Sequence, residues 1–354
     1  MNTKFEIVKK PELAQLEMEV DRGVINFPAS WYVAMPSKAL GNKPKAIELF
    51  GLPLVAWRDQ RGYPAIMQRY CSHMGASLAI GKVVNGCIQC PFHHWHFDSS
   101  GQCVFIPEVD TIPPKARQAN YPTVERYGYI WVWYGSETPM FPLPEFPAAE
   151  DEKHNYMPFR FADLTKTTVR HVIENGFDNY HIVTVHDMKV ADPIKFTLLT
   201  DQYPAELIEP PIQKEARFLA KVECPIHALD PTARALGFNA KNFTILLDSW
   251  PAGMRVTAFV DSKEVYKLLV GMTPIAEKKS IQHILVMVKK TGNFWLDIFH
   301  YVVFSLQNRL GTKDDMPIYD NSNQNFGVAY VKNDLGVLKF REFYQRWVDK
   351  VERR

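Results

Sequence analysis

The sequence has little cysteine, no long apolar run and almost no net charge, and each shortage excludes a class of protein. Five cysteines among 354 residues are too few for a disulfide scaffold in a chain of this size. The most apolar stretch, residues 294–306, is shorter than a membrane span and contains Asp297 and His300. We therefore expect neither a disulfide framework nor a transmembrane helix.

The charge balance, and the absence of a dinucleotide fingerprint and of a secretory signal, exclude further classes of protein. Lysine plus arginine number 41 and aspartate plus glutamate 39, so a net charge of +2 gives no electrostatic footprint for nucleic acid or an anionic membrane. No glycine-rich dinucleotide fingerprint occurs, so the chain itself is not expected to bind a nicotinamide cofactor. The N-terminus lacks the apolar core of a secretory signal, which predicts a cytoplasmic protein.

Proline and short apolar runs divide the chain into parts. The predicted parts are an N-terminal arm at 1–27, a β-domain at 28–138, a linker at 139–149 and an α+β domain at 150–354. In the β-domain, short apolar runs alternate with glycine and proline, which is typical of a small antiparallel fold. The linker region contains four prolines between 139 and 147 and cannot form a regular helix or a central strand. Helical segments are predicted at 167–186, 293–310 and 338–351.

The most informative text is a pair of patterns rich in metal ligands. C-S-H at 71–73 is followed, after sixteen residues (74–89), by C-P-F-H at 90–93. Two thiolates and two imidazoles from two loops match a Rieske centre, a [2Fe–2S] cluster in which cysteines bind one iron and histidines the other. Structural zinc is an alternative, because Cys87 and Cys90 form a Cys-x-x-Cys pair. Buried thiols with unrelated surface histidines are a third interpretation.

The run CSHMGASLAIGKVVNGCIQCPFHHWHFDSSGQC resembles the Rieske signature of ring-hydroxylating oxygenases. The resemblance implies four cluster ligands, namely Cys71 and Cys90 on one iron and His73 and His93 on the other. Cys87 and Cys103 then fall outside the cluster. Two positions depart from the family text: Ser72 stands where proline is common, and His94 stands where the CPxHGW version has glycine. Neither departure removes a ligand, but His94 places a polar ring beside the cluster unless it is only a solvated loop residue.

A second set of potential ligands lies in the helical text of residues 174–186. Asp178 and His181 are three apart and would share one face of a helix. His181 and His186 are five apart, about 500° or a net 140° around an ideal helix, so a regular helix would point them apart. Convergence on one ion requires a π-type widening or the end of a helix. Ordinary interfacial histidines are the alternative.

This segment, Glu-Asn-x-x-Asp-x-x-His included, resembles the mononuclear-iron motif of the same family. The resemblance implies that His181 and His186 bind a ferrous iron together with one carboxylate, a set that leaves positions open for dioxygen. The family has its acidic ligand just before a P-I-W-like run, which corresponds here to Asp315 in D-D-M-P-I-Y, with Asp314 as the alternative. An acidic helix terminus would account for either residue without a metal.

Asp178 is predicted to carry electrons rather than to bind iron. Its carboxylate, one helical turn before His181, would accept a hydrogen bond from the ring nitrogen that faces away from the metal. In the family, the matching aspartate bridges a cluster histidine of the neighbouring chain, here His93, to the first iron histidine. The alternative is that Asp178 only orients His181.

The resemblance extends to AYVKNDLGVLKFREFYQRW near the C-terminus, which is similar to a subgroup containing 3-ketosteroid hydroxylases, cholesterol-desaturating oxygenases and aminopyrrolnitrin oxygenase. It implies an α+β chain in which an N-terminal all-β Rieske domain precedes a helix-grip (START-like) catalytic domain with an antiparallel sheet. It also implies a homotrimer that receives electrons from NAD(P)H through a separate ferredoxin or flavin reductase. The expected reaction is O2-dependent hydroxylation, desaturation or dealkylation of a small, polycyclic organic substrate.

Two other classes of function remain at this point. A Rieske electron-transfer protein without oxygenase activity would need only about the first 145 residues. A zinc-stabilised binding protein would have no redox activity at all. Substrate contacts of an oxygenase are expected in the middle of the chain, at 190–290, where no text resembles a known pattern.

Overall fold

The computed structural model describes residues 27–151, 154–186, 188, 190, 192–199, 209–225, 240–323 and 329–352. The predicted N-terminal arm therefore lies, apart from its last residue, outside the described residues. In this part of the chain the strands are β1 Ser30–Pro36, β2 Lys45–Leu49, β3 Leu52–Arg58, β4 Pro64–Gln68, β5 Lys82–Val84, β6 Cys87–Gln89, β7 His96–Phe97, β8 Cys103–Phe105, β9 Asn120–Tyr121, β10 Thr123–Arg126, β11 Tyr129–Tyr134, β12 Tyr156–Thr165, β13 Lys195–Leu198, β14 Phe218–Pro225, β15 Asn242–Trp250, β16 Gly253–Val260, β17 Lys263–Ala276 and β18 Lys279–Lys289. The helices are α1 Pro147–Glu150, α2 Val169–Glu174, α3 His181–Thr184, α4 Phe294–Asn321 and α5 Leu335–Val348.

The N-terminal part contains three small antiparallel sheets, ordered β1-β11-β10, β2-β3-β4-β9 and β5-β6-β7-β8. Aromatic and β-branched residues favour its strands, as in the YIWVWY text of β11, whose first five residues are buried. The C-S-H text lies between β4 and β5, and the C-P-F-H text joins β6 to β7. Both candidate cluster patterns are therefore on loops that the sheets hold in place.

The C-terminal part is built on one seven-stranded antiparallel sheet, ordered β12-β18-β17-β16-β15-β14-β13. The long helix α4 packs across β12 and β18. Phe304 of α4 lies 5.3 Å from Tyr266 of β17, and Tyr301 lies 6.3 Å from Phe159 of β12, measured between ring centroids. The predicted α+β architecture, an all-β part followed by a sheet that grips a long helix, is confirmed.

The helix predicted at 338–351 is observed three residues earlier, and the other two predicted helices differ more, both at the candidate iron site. The helix predicted to end near residue 310 continues to Asn321, with Pro317 inside it, so Asp314 and Asp315 lie within the helix rather than at its terminus. The helix predicted at 167–186 is broken into α2, the 3-10 turn Asn175–Phe177 and α3. Asp178, with an extended ψ of 98°, separates the turn from α3. No helix of the described part is long and apolar enough to cross a membrane.

The two parts of the molecule are joined by direct contacts between their sheets. The Trp250 indole donates to the carbonyl of Trp31 at 3.2 Å, and the Thr273 hydroxyl donates to the carbonyl of Val33 at 2.6 Å. A Cβ at Gly271 would lie 2.5 Å from a methyl of Val33, so only glycine allows β17 to approach β1 so closely. These contacts join the sheet that contains β1 to the seven-stranded sheet on which α4 packs.

Two candidate metal centres

The two loops with the cysteine and histidine text share one hydrogen-bond pattern. In each, the cysteine N–H donates to the carbonyl five residues later, and the N–H four residues later donates back to the cysteine carbonyl. The pairs are Cys71 to Ala76 at 2.9 Å, Gly75 to Cys71 at 2.9 Å, Cys90 to Trp95 at 2.8 Å and His94 to Cys90 at 3.1 Å. The loops are therefore equivalent, and each presents its cysteine and its histidine in a similar way.

The fourth position after each cysteine has a left-handed backbone. Gly75 has a φ of +72° and His94 a φ of +56°. For any residue that has a side chain, this backbone conformation is unfavourable in free energy. His94 therefore occupies the backbone conformation for which the usual family residue, glycine, is suited. Its side chain is exposed to solvent.

The first candidate centre has its thiols inside and its imidazoles at the surface. Cys71 and Cys90 are 4% and 2% exposed. Burial raises the pKa of the Cys71 thiol to about 11. The rings of His73 and His93 lie 4.5 Å apart, with Trp95 stacked on His73 at 4.4 Å. Two buried thiols without a disulfide between them, next to two imidazoles, fit a cluster whose histidine-bound iron faces outward.

The other cysteines near this centre lie on strands. Cys87 is on β6 opposite Val84, and Cys103 is on β8 with its thiol directed to the carbonyl of Phe105 at 3.5 Å. Neither residue belongs to the two equivalent loops.

The second candidate centre is formed where α3 ends and α4 passes. His181 is the first residue of α3, and His186 follows two residues after its last, so the end of a helix allows the two rings to approach within 5.2 Å. Asp315 Oδ1 lies 3.5 Å from His186 Nε2. One ligand atom from each of His181, His186 and Asp315 lies within 4.8 Å of the other two.

Burial distinguishes the two adjacent aspartates. The Asp315 side chain is 14% exposed and that of Asp314 is 55% exposed, with an Asp314 oxygen 3.9 Å from His186 Nδ1, too far for a hydrogen bond. Burial raises the pKa of Asp315 to about 7. Within the described residues its ion-pair partner is His186 rather than a lysine or arginine. The alternative of an acidic helix terminus is wrong, because both aspartates lie inside α4.

The hydrogen bonds of the histidines fit a metal at this centre. His181 Nδ1 donates to the backbone carbonyl of Asp178, and since a carbonyl only accepts, Nε2 keeps a lone pair for a cation. The buried His186 Nδ1 has no hydrogen-bond partner among the described residues. Two imidazoles and a buried carboxylate are the donor set that ferrous iron takes in oxygenases.

The predicted hydrogen bond between the Asp178 carboxylate and the His181 ring is wrong. Asp178 Oδ1 instead accepts from the backbone N–H groups of Tyr180 at 3.0 Å and His181 at 3.4 Å, at the start of α3. The extended backbone of Asp178 accounts for both contacts. It brings the Asp178 carbonyl to Nδ1 of the His181 ring and the Asp178 carboxylate to the free N–H groups at the start of α3. Asp178 orients His181 through its main chain.

Two residues at the centre were missed by sequence reasoning. Asn175 Nδ2 lies 3.3 Å from His181 Nε2, and the Asn175 side chain acts against the rise that burial causes in the pKa of Asp315 and in that of Tyr319. Asn175 is the second residue of the Glu-Asn-x-x-Asp-x-x-His text, and Tyr319 follows Asp315 by one helical turn. The place of Asn175 in this motif and the distance of Tyr319 from Asp315 were the sequence signals that could have identified the two residues.

A buried ion pair holds this region to the C-terminal helix. Glu174, the last residue of α2, accepts two hydrogen bonds from Arg341 of α5 at 2.8 and 2.9 Å. Arg341 holds the pKa of Glu174 below its usual value against the effect of burial, so the carboxylate stays charged. The pair fixes the residue directly before Asn175, which borders the second centre.

Comparisons with known proteins agree with this geometry. Residues 30–122 match the Rieske [2Fe-2S] domain family. Aminopyrrolnitrin oxygenase PrnD from Pseudomonas fluorescens is 40% identical over 334 residues, which cover 91% of this chain and 92% of that protein. The chain belongs to the Rieske non-haem iron oxygenases. The oxygenase component of 3-ketosteroid-9-alpha-monooxygenase from Rhodococcus rhodochrous is 30% identical over 181 residues, 49% of this chain and 47% of that protein.

The fold is also similar to that of a solved structure. The crystal structure of dicamba monooxygenase bound to dicamba superposes with a TM-score of 0.70 at 19% identity, covering 92% of this chain and 98% of that one. As a Rieske oxygenase, the chain is an oxidoreductase with a [2Fe–2S] cluster and a mononuclear iron. It takes electrons from a separate protein and acts on a small molecule, so the electron-carrier and zinc-protein alternatives are set aside. The predicted subgroup is confirmed by its aminopyrrolnitrin and ketosteroid members.

Proposed function

We propose that the chain is a terminal oxygenase whose catalytic iron is held by His181, His186 and Asp315. The observation that carries the proposal is the convergence of three ligand atoms within 4.8 Å, from a helix end and from the middle of α4. When bound, the iron supplies the activation of dioxygen. The chain's own contribution is to orient the His181 ring through the Asp178 carbonyl and to keep the Asp315 carboxylate away from water.

The cluster is assigned to the two equivalent loops. Cys71 and Cys90 would bind the inner iron, and His73 and His93 the outer iron. The half-buried His93 and the exposed His73 would leave this edge of the cluster accessible to another protein. Electrons from NAD(P)H would enter there through a ferredoxin or flavin reductase.

We infer that Asp178 passes electrons between chains of a homotrimer, from His93 of a neighbouring chain to His181. The partly exposed side chain of Asp178 and the neighbouring Tyr180, 57% exposed, support this, since the route needs a surface on the iron side. The backbone bond from Asp178 to the His181 ring provides a short covalent and hydrogen-bonded path to the metal ligand. Orientation of His181 alone is the competing role.

The substrate is proposed to be a small, largely apolar, polycyclic molecule. The sheet face towards α4 carries Tyr266, Ala258 and Ile245 in one cross-strand row. Ile245 and Leu268 are partly exposed although they lie on inner strands, which indicates space between sheet and helix. The relatives named for aminopyrrolnitrin and 3-ketosteroid substrates support the same class.

Two wider assignments complete the proposal. The chain would divide into the Rieske domain at 28–138, a linker at 139–149 and the catalytic domain at 150–354, supported by the proline-rich text between β11 and β12. A cytoplasmic location is supported by five cysteines that form no disulfide.

Paired substitutions of the two aspartates test the iron assignment. Asp315→Asn should lower the iron content from about three to about two per chain, keep the red-brown cluster and abolish product formation. Asp314→Asn, the matched control one residue away, should keep both iron and product. Loss of the mononuclear iron in Asp314→Asn but not in Asp315→Asn would assign the carboxylate to Asp314 instead.

A further inference from the structure

Gly311, the glycine of helix α4, lies beside a proposed iron ligand. It precedes Asp315 by four residues, so the two positions share one face of the helix. Among the described residues, a Cβ at Gly311 would meet within 4 Å only the His186 ring, at 3.8 Å from Cε1 and 3.9 Å from Nδ1. A place that a side chain could fill, and that glycine leaves open, therefore lies directly beside this ring.

Neither the backbone nor the packing of the described chain requires glycine at this position. Gly311 lies in the interior of a helix, a backbone conformation that residues with side chains also adopt. Glycine there lowers stability relative to alanine. A Cβ would make ordinary van der Waals contact, whereas at Gly336 of α5 it would lie 2.6 Å from the Phe177 carbonyl oxygen, so only the second glycine is needed for packing.

The neighbouring polar side chains of α4 are turned back onto their own helix. Asn308, one turn before Gly311, donates through Nδ2 to the Phe304 carbonyl at 2.7 Å. The Thr312 hydroxyl donates to the Asn308 carbonyl at 3.0 Å. Leu268, on the face of inner strand β17 that is directed towards α4, is partly exposed. Space beside the His186 ring is therefore accompanied by space on the sheet side.

We propose that Gly311 is a specificity-determining residue, whose missing side chain leaves room beside the His186 ring for a second ring of the substrate. The inference rests on the proposed function, since it takes His186 as an iron ligand and a polycyclic apolar molecule as the substrate. A flat aromatic ring is the group that suits this place, because it can pack against the imidazole and needs no hydrogen-bond partner there.

The size of residue 311 should decide which molecules bind next to the iron. Gly311→Leu should weaken the binding of indole by at least about tenfold, since one methylene group too many in an apolar pocket already has an effect of that size. Pyrrole has the same N–H group but lacks the second ring, so its affinity should stay that of the unmodified chain. Gly311→Ala should raise the melting temperature, because alanine favours a helix, and should weaken indole binding by a smaller factor.

Nitric oxide serves as the probe of the iron. Protein with an oxidised cluster and ferrous mononuclear iron is mixed with nitric oxide, and the electron paramagnetic resonance signal of the resulting complex is followed as indole or pyrrole is added. Lys313→Leu is the matched control, because it places the same side chain at an exposed position of α4, about 200° around the helix from Gly311. Its affinity for both molecules should equal that of the unmodified chain.

A variant of the iron ligand separates this inference from the proposed function. If His186→Ala keeps the nitric oxide signal at full strength, the proposed function fails, and this inference with it. If His186→Ala loses that signal while Gly311→Leu binds indole like Lys313→Leu, only the role of Gly311 is refuted.

Three other results would also refute the role of Gly311. Equal losses of indole and pyrrole affinity in Gly311→Leu would show a distorted site rather than a filled one. Indole that leaves the signal of the unmodified chain unchanged would show that the place is closed to a two-ring molecule. If Gly311→Leu loses its iron, Gly311→Ala decides, and an indole affinity equal to that of the unmodified chain would contradict the proposal.

Discussion

The two cluster loops offer a matched pair of substitutions. His94 and Gly75 occupy equivalent positions in the two loops, each with a positive φ. Glycine is suited to that backbone conformation and histidine is not. His94→Gly should therefore stabilise the protein and Gly75→Ala should destabilise it. A Cβ at Gly75 would meet no atom within 4 Å, so the second change tests the backbone alone, without a steric clash.

The magnitude follows from two opposing contributions. Left-handed backbone costs a residue with a side chain roughly 1–2 kcal/mol. Glycine gives the unfolded chain extra freedom, which lowers stability by about 0.4–1 kcal/mol. Each substitution should therefore change the free energy of unfolding by about 0.5–1 kcal/mol, positive for His94→Gly and negative for Gly75→Ala. The double variant should lie close to the unmodified chain.

Urea unfolding of the cluster-loaded protein, followed by visible absorbance and by far-ultraviolet circular dichroism, measures both changes. The difference in midpoint at constant m gives the free energy. Destabilisation by His94→Gly would refute the reasoning, because it would show that the imidazole contributes more by its contacts than its backbone costs.

Two further predictions concern His283 and Asp178. Burial lowers the pKa of His283 to about 4, so the folded state keeps it neutral while the unfolded state binds a proton below its ordinary pKa of about 6.5. The stability that this group contributes is complete above about pH 6.5 and declines towards pH 4. At pH 5 the loss is about 2 kcal/mol. Urea unfolding of His283→Gln should lack that part of the pH dependence. Asp178→Asn should keep both metals but slow re-oxidation of the reduced cluster by orders of magnitude after rapid mixing with oxygen and substrate. Normal re-oxidation at full metal content would exclude the bridge.

The proposed cluster ligands could be named from sequence because they lie in two short, local patterns. Cys71 and His73, and likewise Cys90 and His93, are so close in the chain that each loop determines its own geometry. The proposed iron ligands were harder, since the spacing of His181 and His186 fits only if the helix widens or ends between them. That requirement was predicted, and the structure meets it with the end of α3 at Thr184.

What could not be predicted depends on contacts distant in sequence. Pro317 normally argues for a helix end, yet α4 continues through it to Asn321 because its packing on the sheet outweighs one lost hydrogen bond. The Asp178 carboxylate was assigned the wrong partner because a continuous helix was assumed where the backbone is extended. Asn175 and Tyr319 reach the second centre only after α2 and α4 pack together, which no local pattern encodes.

Iron analysis together with electron paramagnetic resonance of the reduced protein shows whether the chain holds a Rieske cluster and a mononuclear iron. We expect about three irons per chain and a Rieske-type signal that Cys90→Ser abolishes, because the signal depends on a cluster with one histidine-bound iron. Stoichiometric zinc without that signal would contradict this expectation.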